Sequence, residues 1–182
     1  NLHPLNEREL ILGCQKQRPA CQKELVLRYS SQLLGICQRY LGQRDNARDV
    51  LQEAFIQIFR YLPSYRPTGS FEAWLKRITV NTALQHLRQS YRHRELPREE
   101  LPELASTAPE VYDQLATADL IALIRELPDG FRVVFNLYAI EGYNHREIAQ
   151  LLDISASTSR SQLARARRWL QQRIKRQKKI EV

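Results

Sequence analysis

Residues 144–179 constrain the architecture of this chain more than any other stretch. Asn144, with Glu147 three residues on, is a capping box and starts a helix at the asparagine. Ile148, Ala149, Leu151 and Leu152 give that helix a short apolar face. Asp153, Ile154 and Ser155 then break the pattern. Ile154 is placed to plug the joint, and Ser155 to cap a second helix through its hydroxyl. On that helix Leu163, Ala166, Leu170 and Ile174 recur at three- and four-residue spacing and define a buried stripe. Elsewhere it carries Arg160, Arg165, Arg167, Arg168, Arg173, Lys175, Arg176, Lys178 and Lys179. These are nine cations with no carboxylate between Ala156 and Ile180, against a formal +8 for the whole chain. Two helices on a tight joint, the second one cationic, make a helix-turn-helix.

The second helix opens with Ser157, Thr158, Ser159, Arg160, Ser161 and Gln162, all short or polar. Such a tip suits a major groove, while the later cations meet phosphates. A basic helix that merely closes a bundle is the competing reading. The capping box, the joint and the polar tip together favour DNA. The sequence pI near 9.7 also calls for a polyanionic partner.

The chain's 182 residues suit one domain or two small ones. Glycine is scarce, Asp129-Gly130 is the one Asp-Gly pair, and it sits between helical patterns, so an all-α fold is expected. No apolar run approaches the ~18–20 residues of a membrane span, and no signal peptide is visible, so a cytoplasmic protein without membrane insertion is expected. Cys14, Cys21 and Cys37 are odd in number and lack CxxC spacing, which points to reduced thiols lining a core. His3, His86, His93 and His145 do not cluster with them in sequence, so neither a metal site nor a cofactor is expected.

Taken in order, Asn6 and Glu9 form another capping box before a short first helix. Pro19 interrupts, a second helix runs from about Ala20 to Leu41, and Gly42 is placed to stop it. Asp45 is expected to open a third helix, in which Val50, Leu51, Ala54, Phe55, Ile58, Phe59 and Leu62 form a wide buried stripe. Asp49, Gln52, Glu53 and Gln57 share another face. Asp49 and Glu53 at i, i+4 have the spacing of a metal or acid/base pair but lack further ligands. A solvated face and a protein-docking face remain the alternatives.

Residues 63–69 read as a loop from their prolines and glycine. Ser70 then caps a fourth helix holding Phe71, Trp74, Leu75 and Ile78. Residues 71–94 carry Lys76, Arg77, Arg88, Arg92 and Arg94 against Glu72, a net +4. Cations interleave with aromatics and with a polar patch at Thr79, Asn81, Thr82 and Gln85, a pattern that fits single-stranded nucleic acid. Phe71 and Ile78 read as core. Tyr65, Arg66, Trp74 and Asn81 are open to either role.

From Glu95 to Asp119 seven carboxylates face only Arg98, a net −6, and Pro97, Pro102 and Pro109 preclude a long helix across most of it. This reads as an interdomain linker, either simply solvated or laid in a cationic groove. Beyond it, Leu115–Leu127 and Phe131–Ile140 are helical patterns, so the second domain is a four-helix unit. The reading divides the chain into residues 6–94, a linker at 95–116 and residues 117–180.

Laid out in this way, the chain resembles a bacterial RNA polymerase sigma factor of the extracytoplasmic-function (ECF) type. The resemblance runs from about Glu9 to Arg176. It rests on DNARDVLQEAFIQIFRYLPSYRP (45–67), FEAWLKRITVNTALQHLR (71–88) and EIAQLLDISASTSRSQLARAR (147–167), in that order around an acidic linker. One departure is Asp153, where many joints have glycine; aspartate tolerates left-handed geometry better than most residues. The resemblance implies that Asp49, Gln52, Glu53 and Phe55 dock on the clamp helices of the largest subunit of core RNA polymerase. It implies that Tyr65, Arg66, Trp74, Arg77, Asn81 and Arg88 open the −10 promoter element and hold an unpaired base. It further implies that Ser157, Thr158, Arg160, Ser161, Arg165 and Arg168 meet −35 DNA. It also implies an anti-sigma factor as partner, often a membrane-anchored one. An autonomous helix-turn-helix regulator is the main alternative; it explains residues 117–180 and leaves 45–88 as scaffold. A metal-dependent enzyme built on Asp49 and Glu53, or a protein that only sequesters another factor, explains less.

Overall fold

The structure is a computed structural model and describes residues 5–42, 46–92 and 117–180, with side chains for all of these but 90–92, 117 and 177–180. Its helices are α1 (Glu7–Gln15), α2 (Pro19–Leu41), α3 (Ala47–Tyr61), α4 (Phe71–Arg92), α5 (Thr117–Glu126), α6 (Asp129–Phe135), α7 (His145–Leu152) and α8 (Ala156–Ile180). No strand occurs among the described residues. Contacts group residues 1–38 with 44–95 in one unit, and 39–43 with 96–182 in a second. The expected linker at 95–116 lies outside the described residues, as does Asp45.

In the first unit α1 starts on its capping box: Asn6 Oδ1 accepts from Glu9 N at 2.8 Å, and Glu9 Oε2 accepts from Asn6 N at 3.0 Å. Helices α1 and α2 approach closely at Gly13, where a Cβ would stand 2.2 Å from Cys21 Sγ. Only glycine fits there. Cys14, Cys21 and Cys37 are buried free thiols. Burial pushes Cys37 up to about 12, and burial with the neighbouring Cys21 pushes Cys14 up to about 11. Pro19 does not merely interrupt: it is the first residue of α2. Its fixed φ suits a helix start, and its missing N–H is one the first turn leaves unbonded anyway. Gly42, at φ +70, ends the run.

Helix α3 packs along α4 and buries Val50, Ala54, Phe55 and Ile58. Helix α4 is capped by Ser70, whose Oγ accepts from Ala73 N at 3.2 Å. The expected polar patch on α4 breaks up. Thr79 and Thr82 are buried, and their hydroxyls donate to the carbonyls of Leu75 and Ile78, each at 2.9 Å. An unbonded buried hydroxyl costs roughly 1–3 kcal/mol, and the bond one turn back removes that cost. Asn81 and Gln85 stay exposed.

The loop after α3 is more ordered than its prolines suggest. Leu62–Ser64 form a 3-10 turn. Gln15 Nε2, from the end of α1, donates to the carbonyls of Leu62 at 3.2 Å and Tyr65 at 3.1 Å. A side chain about fifty positions upstream therefore fixes where Tyr65 sits.

In the second unit α6 and α7 both pack on α8, around Leu123, Leu127, Val134, Leu137, Ile148, Leu163 and Leu170. The single helix expected over Phe131–Ile140 is two pieces: α6 ends at Phe135, and Asn136–Ile140 continue as a π-turn. Glu141 N bonds Asn136 O at 3.0 Å, closing the wider turn. The helix-turn-helix forms as the residues predict. Asn144 Oδ1 accepts from Arg146 N and Glu147 N at 2.9 and 3.0 Å, and Glu147 Oε2 accepts from Asn144 N at 2.8 Å. Asp153 takes the left-handed conformation, φ 56 and ψ 48, and Ser155 Oγ accepts from Thr158 N at 2.9 Å to open α8.

Candidate nucleic-acid interface

On the first unit, the residues after α3 and the outer face of α4 enclose a cleft of about 690 Å³. Five of the six residues expected at −10 DNA line it: Tyr65, Arg66, Trp74, Arg77 and Asn81. Arg88 does not; it is exposed about 16 Å farther along α4 than Arg77, at 1.5 Å rise per residue. Phe71, only 1% exposed, is the floor of an aromatic pile. Trp74 stacks on it at 5.7 Å, and Tyr65 meets it edge-on at 5.2 Å and leans on Trp74 at 4.8 Å. The indole and phenol are thus braced from beneath while their outer parts border open space. Such rings offer a π-face to any base.

The charge near this cleft is more selective than a tally of cations suggests. Lys76 is paired with Glu72 at 2.6 Å. Hydrogen bonds from Lys76 and then Gln32 hold the Glu72 carboxyl below the usual range. Arg66 and Arg77 are exposed on the lining. Ser64, Thr68, Gly69 and Ser70 of the expected loop line it too, and Tyr61 is a lining residue that sequence reasoning missed. Tyr61 is 50% exposed, and an aromatic at the last position of a helix before a proline-rich loop was the available signal.

On α3, Asp49, Gln52 and Glu53 are exposed, as a solvated face and a docking face both require. Phe55 is not exposed with them. Its ring is 8% exposed and stacks against Phe59 at 6.3 Å inside the unit. The i, i+4 pattern that placed it in the buried stripe wins, because burying a phenylalanine contributes about 1.5–3 kcal/mol. The apolar residue on the outer face is Ile56 instead, 59% exposed among Asp49, Gln52, Glu53 and Arg60. A lone exposed isoleucine flanked by polar residues had no distinguishing sequence signal. Asp49 and Glu53 also line a smaller cleft of about 410 Å³ with Gln85, His86 and Gln89 of α4. His86 is tied there to Asn46, with Nε2 2.6 Å from the amide nitrogen.

On α8 the six residues expected at −35 DNA divide by environment. Ser157, Arg160 and Arg168 are exposed, whereas Thr158, Ser161 and Arg165 are half-buried. Thr158 Oγ1 lies 2.8 Å from Ser155 Oγ in the cap, and Ser161 Oγ donates to Thr158 O at 3.0 Å. Those hydroxyls serve the helix first. Ser159, which sequence reasoning grouped with the polar tip, is fully buried, and its Oγ lies 2.9 Å from His145 Nδ1. Burial, then the nearby Arg160 and Arg167, lower the His145 pKa below its ordinary 6.5.

Residues 25–93 match the family model described as Sigma-70 region 2, and residues 117–170 match that of Sigma-70, region 4. The chain is 30% identical to the ECF RNA polymerase sigma-E factor of Haemophilus influenzae, over 93% of this chain and 96% of that one. It is 36% identical to the ECF RNA polymerase sigma factor SigE of Mycolicibacterium smegmatis over 81% of its own length, a match spanning 59% of that longer relative. In fold it is similar to Bartonella quintana RpoE, solved with the anti-sigma factor NepR, at a TM-score of 0.50 and 22% identity over 84% of this chain and 96% of that one. With a region 2 unit ahead of a region 4 unit and relatives matched along almost all of its length, this chain belongs to the ECF RNA polymerase sigma factors, which are transcription initiation factors.

Proposed function

We propose that this chain joins core RNA polymerase in the cytoplasm and directs it to promoters with paired −10 and −35 elements. The observation that supports this reading is the presence in one chain of two dissimilar cationic surfaces. One is a braced aromatic cleft with Arg66 and Arg77 on its rim. The other is a helix-turn-helix whose α8 exposes Ser157, Arg160 and Arg168. A regulator that only bound duplex would have no use for the first.

In this reading residues 6–94 grip the polymerase and open the −10 element. Asp49, Gln52 and Glu53, with Ile56 at their centre, dock on the clamp helices of the largest subunit. Tyr65 and Trp74 hold a base of the separated strand while Asn81 offers its amide to the base edge and Arg66 and Arg77 meet phosphate. Flipping a base costs a few kcal/mol, and stacking worth ~1–3 kcal/mol per base offsets much of it. Residues 117–180 place α8 on −35 DNA, and residues 95–116 connect the two domains as an acidic tether. The family resemblance adds a cognate anti-sigma factor as the partner that holds the chain inactive.

Run-off transcription with purified core polymerase across a promoter library tests the proposal. Transcripts that start only when the chain is present, from templates sharing two spaced elements, are the expected result. DNA binding without polymerase association would return the autonomous regulator to first place.

A further inference from the structure

The π-turn at Asn136–Ile140 leaves Tyr138 exposed, and the Tyr138 ring stacks on His145 at 4.6 Å and 20°. The same tyrosine ring lies under Arg167 of α8, whose guanidinium carbon is 5.8 Å from its centroid. His145 in turn places Nδ1 2.9 Å from the buried Ser159 Oγ, also on α8. The first residue of α7 and the π-turn thus hold α8 at two positions eight residues apart, about 12 Å along its axis.

We propose that His145 is a positioning residue for −35 recognition, setting the rotation of α8 through Ser159 and, with Tyr138 and Arg167, its tilt. The inference rests on the reading that α8 faces −35 DNA. Its physical basis is the narrow tolerance of base readout. Ser159 immediately precedes Arg160, so the azimuth of one fixes that of the other. A helix with side chains has a radius of about 5–6 Å, so a slip of ~20° moves a side-chain tip by ~2 Å. A hydrogen bond tolerates only about 0.5 Å. Phosphate contacts are far more forgiving, because long cationic side chains follow a charge rather than a direction. Without the clasp, sequence discrimination therefore suffers before affinity does.

The groups facing the imidazole are uniform in sign. Arg160 and Arg167 come from α8, and the uncharged Tyr138 covers one ring face. Glu147, the nearest carboxylate in sequence, is engaged with the backbone N–H of Asn144. A neutral ring suits this setting, free to exchange its Nδ1 hydrogen bond with the serine hydroxyl.

The test uses the full chain assembled with core polymerase on a library-selected −35 duplex and its scrambled copy. His145→Ala is expected to lower cognate-over-scrambled preference by about tenfold, within the range for one bidentate base contact, with scrambled affinity unchanged. His145→Asn, whose amide reaches roughly where Nδ1 lies, should recover most of it. Ser159→Ala should lose part of the preference that His145→Ala loses, because the Tyr138 stack remains, and the double variant should be no worse than His145→Ala, as expected for one shared hydrogen bond. Full additivity overturns the proposal. So does equal loss on both duplexes, or unchanged preference in His145→Ala while Arg160→Ala loses it. In that last case the −35 reading stands without this inference; no preference in the unmutated holoenzyme removes both.

Discussion

Tyr65 and Trp74 bring their rings to 4.8 Å across the proline-rich loop, with Phe71 buried beneath both. The pair separates two jobs that a sequence alone merges, supporting a fold and presenting a surface. Trp74→Ala is expected to weaken binding of a single-stranded −10 segment by the holoenzyme by ~1–3 kcal/mol, the scale of one stacked base. Phe71→Ala should instead unfold the first unit, at ~3–5 kcal/mol for a large aromatic removed from a core. Fluorescence titration and thermal melting of the two variants check this contrast, and equal melting losses would merge the two roles again.

Charge reversal at Asp49 and Glu53 tests the polymerase face. Both carboxylates are exposed on α3. The double Lys substitution should leave the unfolding free energy within about 0.5 kcal/mol. Association with core polymerase should fall by about 2 kcal/mol or more, as for an interface hot spot. Ile56→Asp should do likewise, whereas Phe55→Ala should register mainly as lost stability. Pull-down of core enzyme beside a melting curve reads both effects.

Arg160 and Lys175 are both exposed on α8 yet are expected to fail differently. Arg160→Ala should relax promoter selectivity, by the ~1–3 kcal/mol that a bidentate arginine–guanine pair supplies. Lys175→Ala should weaken all sequences alike and reduce the salt dependence of binding by about one ion. Equal losses on cognate and scrambled −35 DNA would take Arg160 out of the readout set.

Asp153 holds the helix-turn-helix joint at φ 56. A β-branched residue strains there, so Asp153→Val should destabilise the second unit by ~1–2 kcal/mol. Asp153→Gly should keep the joint. Chemical denaturation of the three proteins measures the difference.

The lowered pKa of His145 has a defined pH signature. Its neutral form is favoured in the folded chain, so the unfolded chain binds more protons between the folded value and the ordinary 6.5. The associated stability is full above 6.5 and is lost as pH falls below it. Melting of the second unit should therefore decline on acidification from about pH 7.5 toward about 5.5, and the dependence should be blunted in His145→Asn. An unchanged slope in that variant would assign the effect to other groups.

The parts of this protein that were legible in its residues are those encoded within one helical turn. Asn6 with Glu9, and Asn144 with Glu147, announced both capping boxes, and Ser70 and Ser155 announced two more helix starts. The Pro19 reading held to within one residue, the proline itself opening the helix, and the Phe131–Ile140 reading erred because a π-turn differs from an α-turn by one carbonyl rather than by composition.

Sequence alone therefore determined the all-helical class, the capping side chains at four helix starts, the joint at Asp153 and the cationic run on α8. Each is set by side chains three or four positions apart. Tertiary structure alone decided that Phe55 turns inward and Ile56 outward, that Gln15 anchors the carbonyl of Tyr65, and that Ser159 is buried against His145. Periodicity names a stripe about 100° wide, but which edge of that stripe meets a neighbour depends on side chains contributed from elsewhere in the chain.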